Sequence, residues 1–322
     1  MTVSKRAAKV SEESLHRIFT IPVAPDSTLG CVENEISQNL AGFLGAHITA
    51  TEKALSEIEK DFAYSQIPEE PAFVSDHMHH LLDKLVSQSV HTSSPNFIGH
   101  MTSALPYFIL PLSKLMVGLN QNLVKIETSK AFTPMERQVL GMMHRLVYQN
   151  DEPFYQQWMH SANHPLGAFF SGGTVANLTA LWVARNNLLK PGGDFKGVAR
   201  EGLFKALKHY QYEGLAILVS ARGHYSLKKS ADVLGIGQDS VIAIPTDENN
   251  KIDCQLLEAK CQQLALKNIP CLVLLALRAQ RKQVISTHLI KWPTLLNVIV
   301  LIFMLTQPGV ARPYYRISID HY

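Results

Sequence analysis

The sequence predicts an α/β fold with a mostly parallel sheet, preceded by a helical N-terminal segment. Between residues 215 and 277, three apolar runs of strand length alternate with amphipathic segments of helix length. That alternation is typical of parallel strands joined by helices, because a parallel pair needs a long crossover connection. Apolar residues make up 46% of the 322 residues and charged residues 18%, a balance that favours a buried core.

Helices are predicted through the first half of the chain. Apolar residues recur at helical spacing from Val32 to Glu59 and from Val74 to about Ser89, and a third apolar segment runs from Leu105 to Leu119. A further helix is predicted to begin with Thr133 as its N-cap, and Glu136 would complete a capping box.

The second half is where strands and helices alternate. The predicted elements are a strand at Ala168–Phe170, helices from Thr174 to about Leu189 and from Gly197 to Tyr210, a strand at Leu215–Ser220, a helix from Ser226 to Leu234, a strand at Val241–Pro245, a helix capped by Asp253 that reaches about Lys267, and a strand at Pro270–Leu277. We therefore expect a helical segment at 1–110 and a partial large domain at 111–277.

Composition and charge argue against several classes of function. A net charge of +3 is too mild to indicate a nucleic-acid partner, and the most apolar run, Leu295–Leu305, is too short to cross a membrane. Four cysteines with no C-x-x-C pair fit a reducing cytoplasm. Among the histidines of the second predicted helix, only His77 and His80 share a face, so we expect a polar surface and no metal site there.

A small-residue turn, Ser171–Thr174, begins the helix that follows Ala168–Phe170. A helix start offers unpaired N–H groups and the positive end of the helix dipole, and adjacent glycines let a ligand approach closely. A phosphate suits such a place. A plain strand-to-helix turn is the alternative interpretation, and the turn alone does not decide between them.

A second candidate is His224, which follows the predicted strand Leu215–Ser220. In open α/β sheets, ligands bind beyond the carboxyl ends of the strands. An imidazole there could stack on a flat cofactor or shuttle a proton, and an ordinary surface histidine is the alternative. A Rossmann-type nucleotide site would need G-x-G-x-x-G, which Ser171–Thr174 does not match.

Five segments, in order, resemble the group II pyridoxal-phosphate (PLP)-dependent amino acid decarboxylases. They are Ser94–Phe97, Asn120–Asn122, Thr133–Glu136, Ser171–Asn177 and His224–Lys229. The N-terminal region is most similar to the bacterial aspartate 1-decarboxylases. The resemblance implies a carboxy-lyase that acts on an acidic amino acid, with conversion of aspartate to β-alanine favoured and glutamate the next candidate.

The resemblance also implies a fold, a cofactor and roles. The fold would be the fold type I, aspartate aminotransferase-like fold, here with an incomplete large domain, and the full-length family members would be homodimers. Gly173 and Thr174 would bind the phosphate of PLP, and His224 would stack on its pyridine ring. The segment formed by Pro95, Asn96 and Phe97 would shape the substrate pocket.

The sequence departs from the family after Leu277. The family's lysine, which bonds covalently to PLP, lies in an Ala-His-Lys-like motif, and its aspartate, which pairs with the pyridine nitrogen, lies in a Val-Asp-Ala-Ala-Trp-like motif. No His-Lys pair follows Leu277, and Asp320 is the only aspartate beyond it. We therefore expect this chain to be inactive, as a truncated, non-catalytic relative of a decarboxylase.

Codon degeneracy allows a test for a shifted reading frame after Leu277. Residues Ala279–Ile285 can be encoded so that the frame starting at the third base reads Thr-Thr-Glu-Thr-Gly-Asn, part of a family motif. Residues Ile302–Arg312 can be encoded so that the same offset reads Phe-His-Val-Asp-Ala-Ala-Trp-Gly-Gly-Ala. The sequence thus predicts that 278–322 is a frameshifted tail. A divergent natural C-terminus is the alternative.

Overall fold

The computed structural model describes residues 33–38, 40, 42, 49–67, 69, 74–99, 105–106, 108–249 and 252–275. The chain forms two compact units, Met1–Gln121 and Asn122–Tyr322. The predicted division into 1–110, 111–277 and 278–322 stays a prediction. The predicted frameshifted tail lies outside the described residues.

The described part of the first unit is helical, as predicted. Residues 33–38 are helical, and the later helices are α1 (Leu55–Ile58), α2 (Val74–Leu81) and α3 (Ile109–Leu119). A 3-10 turn, Glu59–Phe62, extends α1, and a π-helical turn, Leu82–Val86, extends α2. The predicted helix over 32–59 is interrupted, because residues 49–54 are not helical and the Thr49 carbonyl accepts the His91 N–H at 2.7 Å.

The second unit opens with three helices: α4 (Ile126–Ser129), α5 (Phe132–Tyr148) and α6 (Glu152–Trp158). The predicted capping box at the start of α5 is wrong. The N-cap is Ala131, and the Thr133 hydroxyl is instead hydrogen-bonded to the hydroxyl of Ser129. Sequence reasoning missed α6, although Asp151 caps it by accepting the Phe154 N–H at 3.1 Å.

The α/β part follows in the predicted order. Its elements are α7 (Gly173–Leu188), α8 (Val198–Tyr210), β1 (Ala216–Ser220), α9 (Ser226–Val233), a 3-10 turn (Gln238–Ser240), β2 (Val241–Ile244), α10 (Cys254–Leu266) and β3 (Cys271–Leu275). The three strands form a parallel sheet with the order β2-β1-β3. The prediction of a mostly parallel sheet is confirmed.

Strand β1 lies at the centre of the sheet and is buried along its whole length. Ile217 and Val219 face one core, where they pack with apolar residues of α7, α8 and α9. Ala216 and Leu218 face the opposite core, which α10 covers. Because successive strand residues point to opposite faces, the continuous apolar run of β1 is what a strand covered on both sides requires.

The predicted strand at Ala168–Phe170 is not formed in the structure. Its three residues are exposed, with 57% of Phe169 and 39% of Phe170 accessible to solvent. A strand needs a neighbour that takes its backbone N–H and C=O groups. The described sheet pairs β1, β2 and β3 only, so this apolar segment has no partner within the described residues.

Asp253 sets the start of α10, as predicted. Its carboxylate accepts the N–H groups of Gln255 at 2.9 Å and Leu256 at 3.1 Å. Replacing Asp253 with Ala leaves both donors without this partner, and we expect it to lower the free energy of unfolding by about 1 kcal/mol. Urea unfolding of the full chain measures this loss. Asp253→Asn retains the acceptor, so a loss as large as that of Asp253→Ala would contradict the capping role.

Candidate functional site

The first turn of α7 presents free backbone donors. The Gly172 carbonyl accepts the N–H groups of Val175 and Ala176, both at 3.1 Å. Val175 and Ala176 are thus the first residues whose N–H groups are paired within the helix. The N–H groups of Gly173 and Thr174, which come before them in the chain, have no partner within the helix. A Cβ added at Gly172 would meet no atom within 4 Å, so there is space in front of this turn. An anion placed there would also meet the positive end of the dipole of a 16-residue helix.

His224 lies in the loop that follows β1. The loop turns back tightly, because the Gly223 N–H donates to the Ser220 carbonyl at 2.7 Å. A Cβ at Gly223 would lie 2.5 Å from a methyl carbon of Val219, which is closer than real Cβ atoms approach. Glycine is therefore required at this turn, and it brings the exposed His224 directly to the carboxyl end of β1.

A chain of two hydrogen bonds joins the first turns of α7 to the His224 loop. The Asn177 amide nitrogen donates to the Ser226 hydroxyl oxygen at 2.8 Å, and that hydroxyl lies 2.8 Å from Nδ1 of His224. Asn177 is one helical turn beyond Thr174, so His224 is anchored to the first turns of α7. The structure thus connects the helix start that holds Gly173 and Thr174 to His224 through Asn177 and Ser226.

The anchoring residues are shielded from water. Asn177 is 2% exposed, Ser226 is 0% and Ser230 is 2%. The Ser230 hydroxyl donates to the Ser226 carbonyl at 2.8 Å, which braces the first turn of α9. Buried polar groups are costly unless they are paired, so these bonds hold the two loops in a fixed relation.

The arrangement can bind a flat, anionic ligand. The helix start offers N–H donors and open space, and the His224 ring offers an exposed aromatic face. The neighbouring Tyr225 ring has its centroid 4.3 Å from that of His224 and is also exposed. These groups fit a phosphorylated aromatic cofactor such as PLP.

The predicted substrate residues belong to the first unit. Pro95 and Asn96 are exposed, and Phe97 is half-buried. They form a turn around the buried Ser94, whose carbonyl accepts the Phe97 N–H at 3.0 Å and whose hydroxyl accepts the Asn96 N–H at 3.3 Å. Their role in a substrate pocket stays a prediction.

The histidines of α2 are exposed, and Nε2 of His79 lies 2.8 Å from a carboxylate oxygen of Glu35. Within the described residues, no group of three or more His, Cys, Asp or Glu side chains is placed to hold a metal ion. None of the described helices is both long enough and apolar enough to cross a membrane.

Sequence reasoning gave no role to Asn177, Ser226 or Gly223, although all three lie in or beside the segments that it singled out. A signal was available for Asn177, since an amide four residues after a helix-starting glycine lies on the same side of the helix as that glycine. No comparable signal was available for Ser226, because its partner lies 49 residues away in sequence.

Comparison with known proteins identifies the family of this chain. The model of the pyridoxal-dependent decarboxylase conserved domain matches residues 55–277. An aspartate 1-decarboxylase of Aliivibrio fischeri is 68% identical over 269 residues, which cover 84% of this chain and 49% of that protein. An acidic amino acid decarboxylase of Bos taurus is 30% identical over 188 residues, covering 58% of this chain and 31% of the relative.

Solved structures share the fold. The glutamate decarboxylase domain of a Vibrio parahaemolyticus protein matches with a TM-score of 0.67 at 16% identity, covering 82% of this chain and 54% of the other. Mouse CSAD matches with a TM-score of 0.64 at 22% identity, covering 80% and 48%. The expectation of a fold type I large domain is confirmed. The chain spans about half the length of the curated aspartate 1-decarboxylase that it matches.

Proposed function

Because this chain belongs to the pyridoxal-dependent decarboxylase family, we propose that α7 and the His224 loop form the PLP site of a protein that, at full length, is a carboxy-lyase acting on an acidic amino acid. Aspartate is the favoured substrate and glutamate the next, in keeping with the 68% identity to an aspartate 1-decarboxylase. The observation that carries the proposal is the hydrogen-bond chain from Asn177 through Ser226 to His224, since it connects the start of α7 to an exposed aromatic ring.

Each residue has a distinct task in this proposal. The N–H groups of Gly173 and Thr174 bind the phosphate, and the dipole of α7 stabilises its negative charge. His224 lies against the pyridine ring and excludes water from that face. Pro95, Asn96 and Phe97 shape the substrate pocket. When it is bound, PLP supplies an electron sink for the bond that is broken, and the protein orients that bond.

We propose that residues 278–322 come from a shifted reading frame. The support is that the codons of Ala279–Ile285 and Ile302–Arg312 can carry two decarboxylase motifs at one common offset. The nucleotide sequence of the gene tests this directly. If the codons used there do not spell those motifs in the alternative frame, residues 278–322 are a natural C-terminus.

The alternative is that the chain is a non-catalytic fragment or pseudoenzyme of this family. It is favoured by the absence from this sequence of both the family's His-Lys pair and its Val-Asp-Ala-Ala-Trp-like motif. For the full-length protein we propose a homodimer in the cytoplasm. Light scattering of the full-length protein at several concentrations tests the dimer, and cell fractionation tests the compartment.

Binding of PLP tests the site separately from any reaction. We expect His224→Ala to raise the dissociation constant for PLP about 2- to 10-fold, because an aromatic stacking contact is removed. His224→Phe keeps a flat ring but has no N–H donor, so we expect it to bind PLP more tightly than His224→Ala and less tightly than the original chain. Calorimetric titration of the full chain measures these constants.

A second titration uses pyridoxal, the analogue of PLP that has no phosphate. It lacks the anion that α7 is proposed to bind, so we expect it to bind more weakly than PLP to the original chain. Equal affinity for PLP and pyridoxal, or equal affinity of the Ala and Phe variants, would contradict the proposed site.

A further inference from the structure

We propose that Asn177 and Ser226 are positioning residues, which hold the proton of the neutral His224 ring on Nε2 and fix the orientation of the ring. The inference deepens the proposed cofactor site, because it states which hydrogen-bonding group His224 presents there. The protonation pattern itself is a property of the chain alone and can be observed with no cofactor present.

The backbone settles the first step. The Ser226 N–H points at Nδ1 of His224, with the two nitrogens 3.2 Å apart. A peptide N–H can only donate, so Nδ1 must accept, and a nitrogen of imidazole that accepts a hydrogen bond carries no proton. In the neutral ring the proton therefore lies on Nε2.

The Ser226 hydroxyl follows from that assignment. Its oxygen lies 2.8 Å from the same Nδ1. Since Nδ1 accepts, the hydroxyl must donate its one proton to it. The oxygen then has only lone pairs left for its other neighbours.

Asn177 completes the set by supplying the matching donor. Its amide nitrogen lies 2.8 Å from the Ser226 oxygen, and both side chains are almost fully buried. All the donors point one way: Asn177 to Ser226, and Ser226 to His224. Reversing one of these bonds would leave a polar group of the buried Asn177 or Ser226 without a partner, so the direction of the chain is held.

The consequence concerns the ligand. The edge of His224 that carries Nδ1 is held by α9, so the ring face and the Nε2–H group are what it presents outward. His224 then acts as a hydrogen-bond donor through Nε2, toward an acceptor atom of the ligand. Asn177 acts on His224 only through Ser226, to which its side chain donates a hydrogen bond.

Nitrogen NMR of the histidine-labelled full chain, without PLP and at a pH where His224 is neutral, tests the proposal. His224→Phe assigns the resonances. In the original chain we expect the protonated nitrogen to be Nε2 alone. Ser226→Ala and Asn177→Leu each weaken the bias toward this tautomer, and we expect each to shift the tautomer ratio about 2- to 10-fold toward Nδ1–H. Ser226→Thr keeps the hydroxyl and is expected to restore the original spectrum.

Ser230→Ala is the matched control. Ser230 is as buried as Asn177 and also bonds to Ser226, but to its carbonyl oxygen, so its loss should leave the His224 tautomer unchanged. A proton on Nδ1 in the original chain would overturn the proposal even if a variant failed to fold. An unchanged His224 spectrum in folded Ser226→Ala and Asn177→Leu would also overturn it. Failure of PLP to bind the original chain would instead contradict the proposed function and leave the tautomer result standing.

Discussion

The purified chain, supplied with PLP, is expected to release carbon dioxide from L-aspartate no faster than free PLP does. The groups proposed to bind the phosphate and cover the ring would hold PLP, but binding alone does not accelerate a reaction. The lysine and the aspartate that the family uses are in motifs that this sequence does not contain. Enzymes typically accelerate their reactions by about 10⁶-fold or more, so the expected loss is large.

Trapping of carbon dioxide from carboxyl-labelled L-aspartate measures this rate, and L-glutamate is run in parallel. The matched comparison is a chain whose codons from Ala279 onward are read in the alternative frame through the rest of the gene. That chain regains the Thr-Thr-Glu-Thr-Gly and Val-Asp-Ala-Ala-Trp motifs, and the lysine motif is expected further along the same frame. We therefore expect it to decarboxylate L-aspartate. Release of carbon dioxide by the original chain above the rate of free PLP would contradict the expected inactivity.

The α/β part of the fold could be predicted because its signals are local. The buried strand β1 is a continuous apolar run, and α10 begins at an aspartate that caps it. Ala168–Phe170 has a similar apolar character but no strand beside it in the described sheet, so it stays exposed. Pairing partners are set by the whole sheet, which a local pattern does not report.

The site was predictable in part for the same reason. Gly173, Thr174 and His224 occur in short motifs, and the structure connects them. The connection itself runs through Asn177 and Ser226, whose contact depends on how α7 and α9 pack on one face of the sheet. A hydrogen bond between residues 49 positions apart follows from tertiary packing, and no local sequence pattern predicts it.

Leu264→Ala is expected to lower the free energy of unfolding by about 2–5 kcal/mol, because it removes a large side chain from a packed core. Leu264 is 6% exposed and packs with Leu218 and Ile244 beneath the sheet. Leu266, on the same helix α10, is 90% exposed. Leu266→Ala therefore deletes the same atoms from a side chain that lies in solvent and leaves no cavity. We expect Leu266→Ala to change the free energy of unfolding by less than about 0.5 kcal/mol.

Urea unfolding of both full-chain variants measures the difference, provided that the denaturant slope stays constant. The difference between the two variants tests whether this small sheet is packed. Within the described sheet β2 and β3 each pair with β1 alone, so the sheet depends on the helices that cover its faces. If Leu264→Ala is destabilised and Leu266→Ala is not, the face covered by α10 is a packed core in this chain. Since that face closes the sheet whose opposite side carries α7 and α9, the cofactor residues then lie on a folded scaffold. Equal unfolding midpoints for the two variants would mean that α10 does not pack as described.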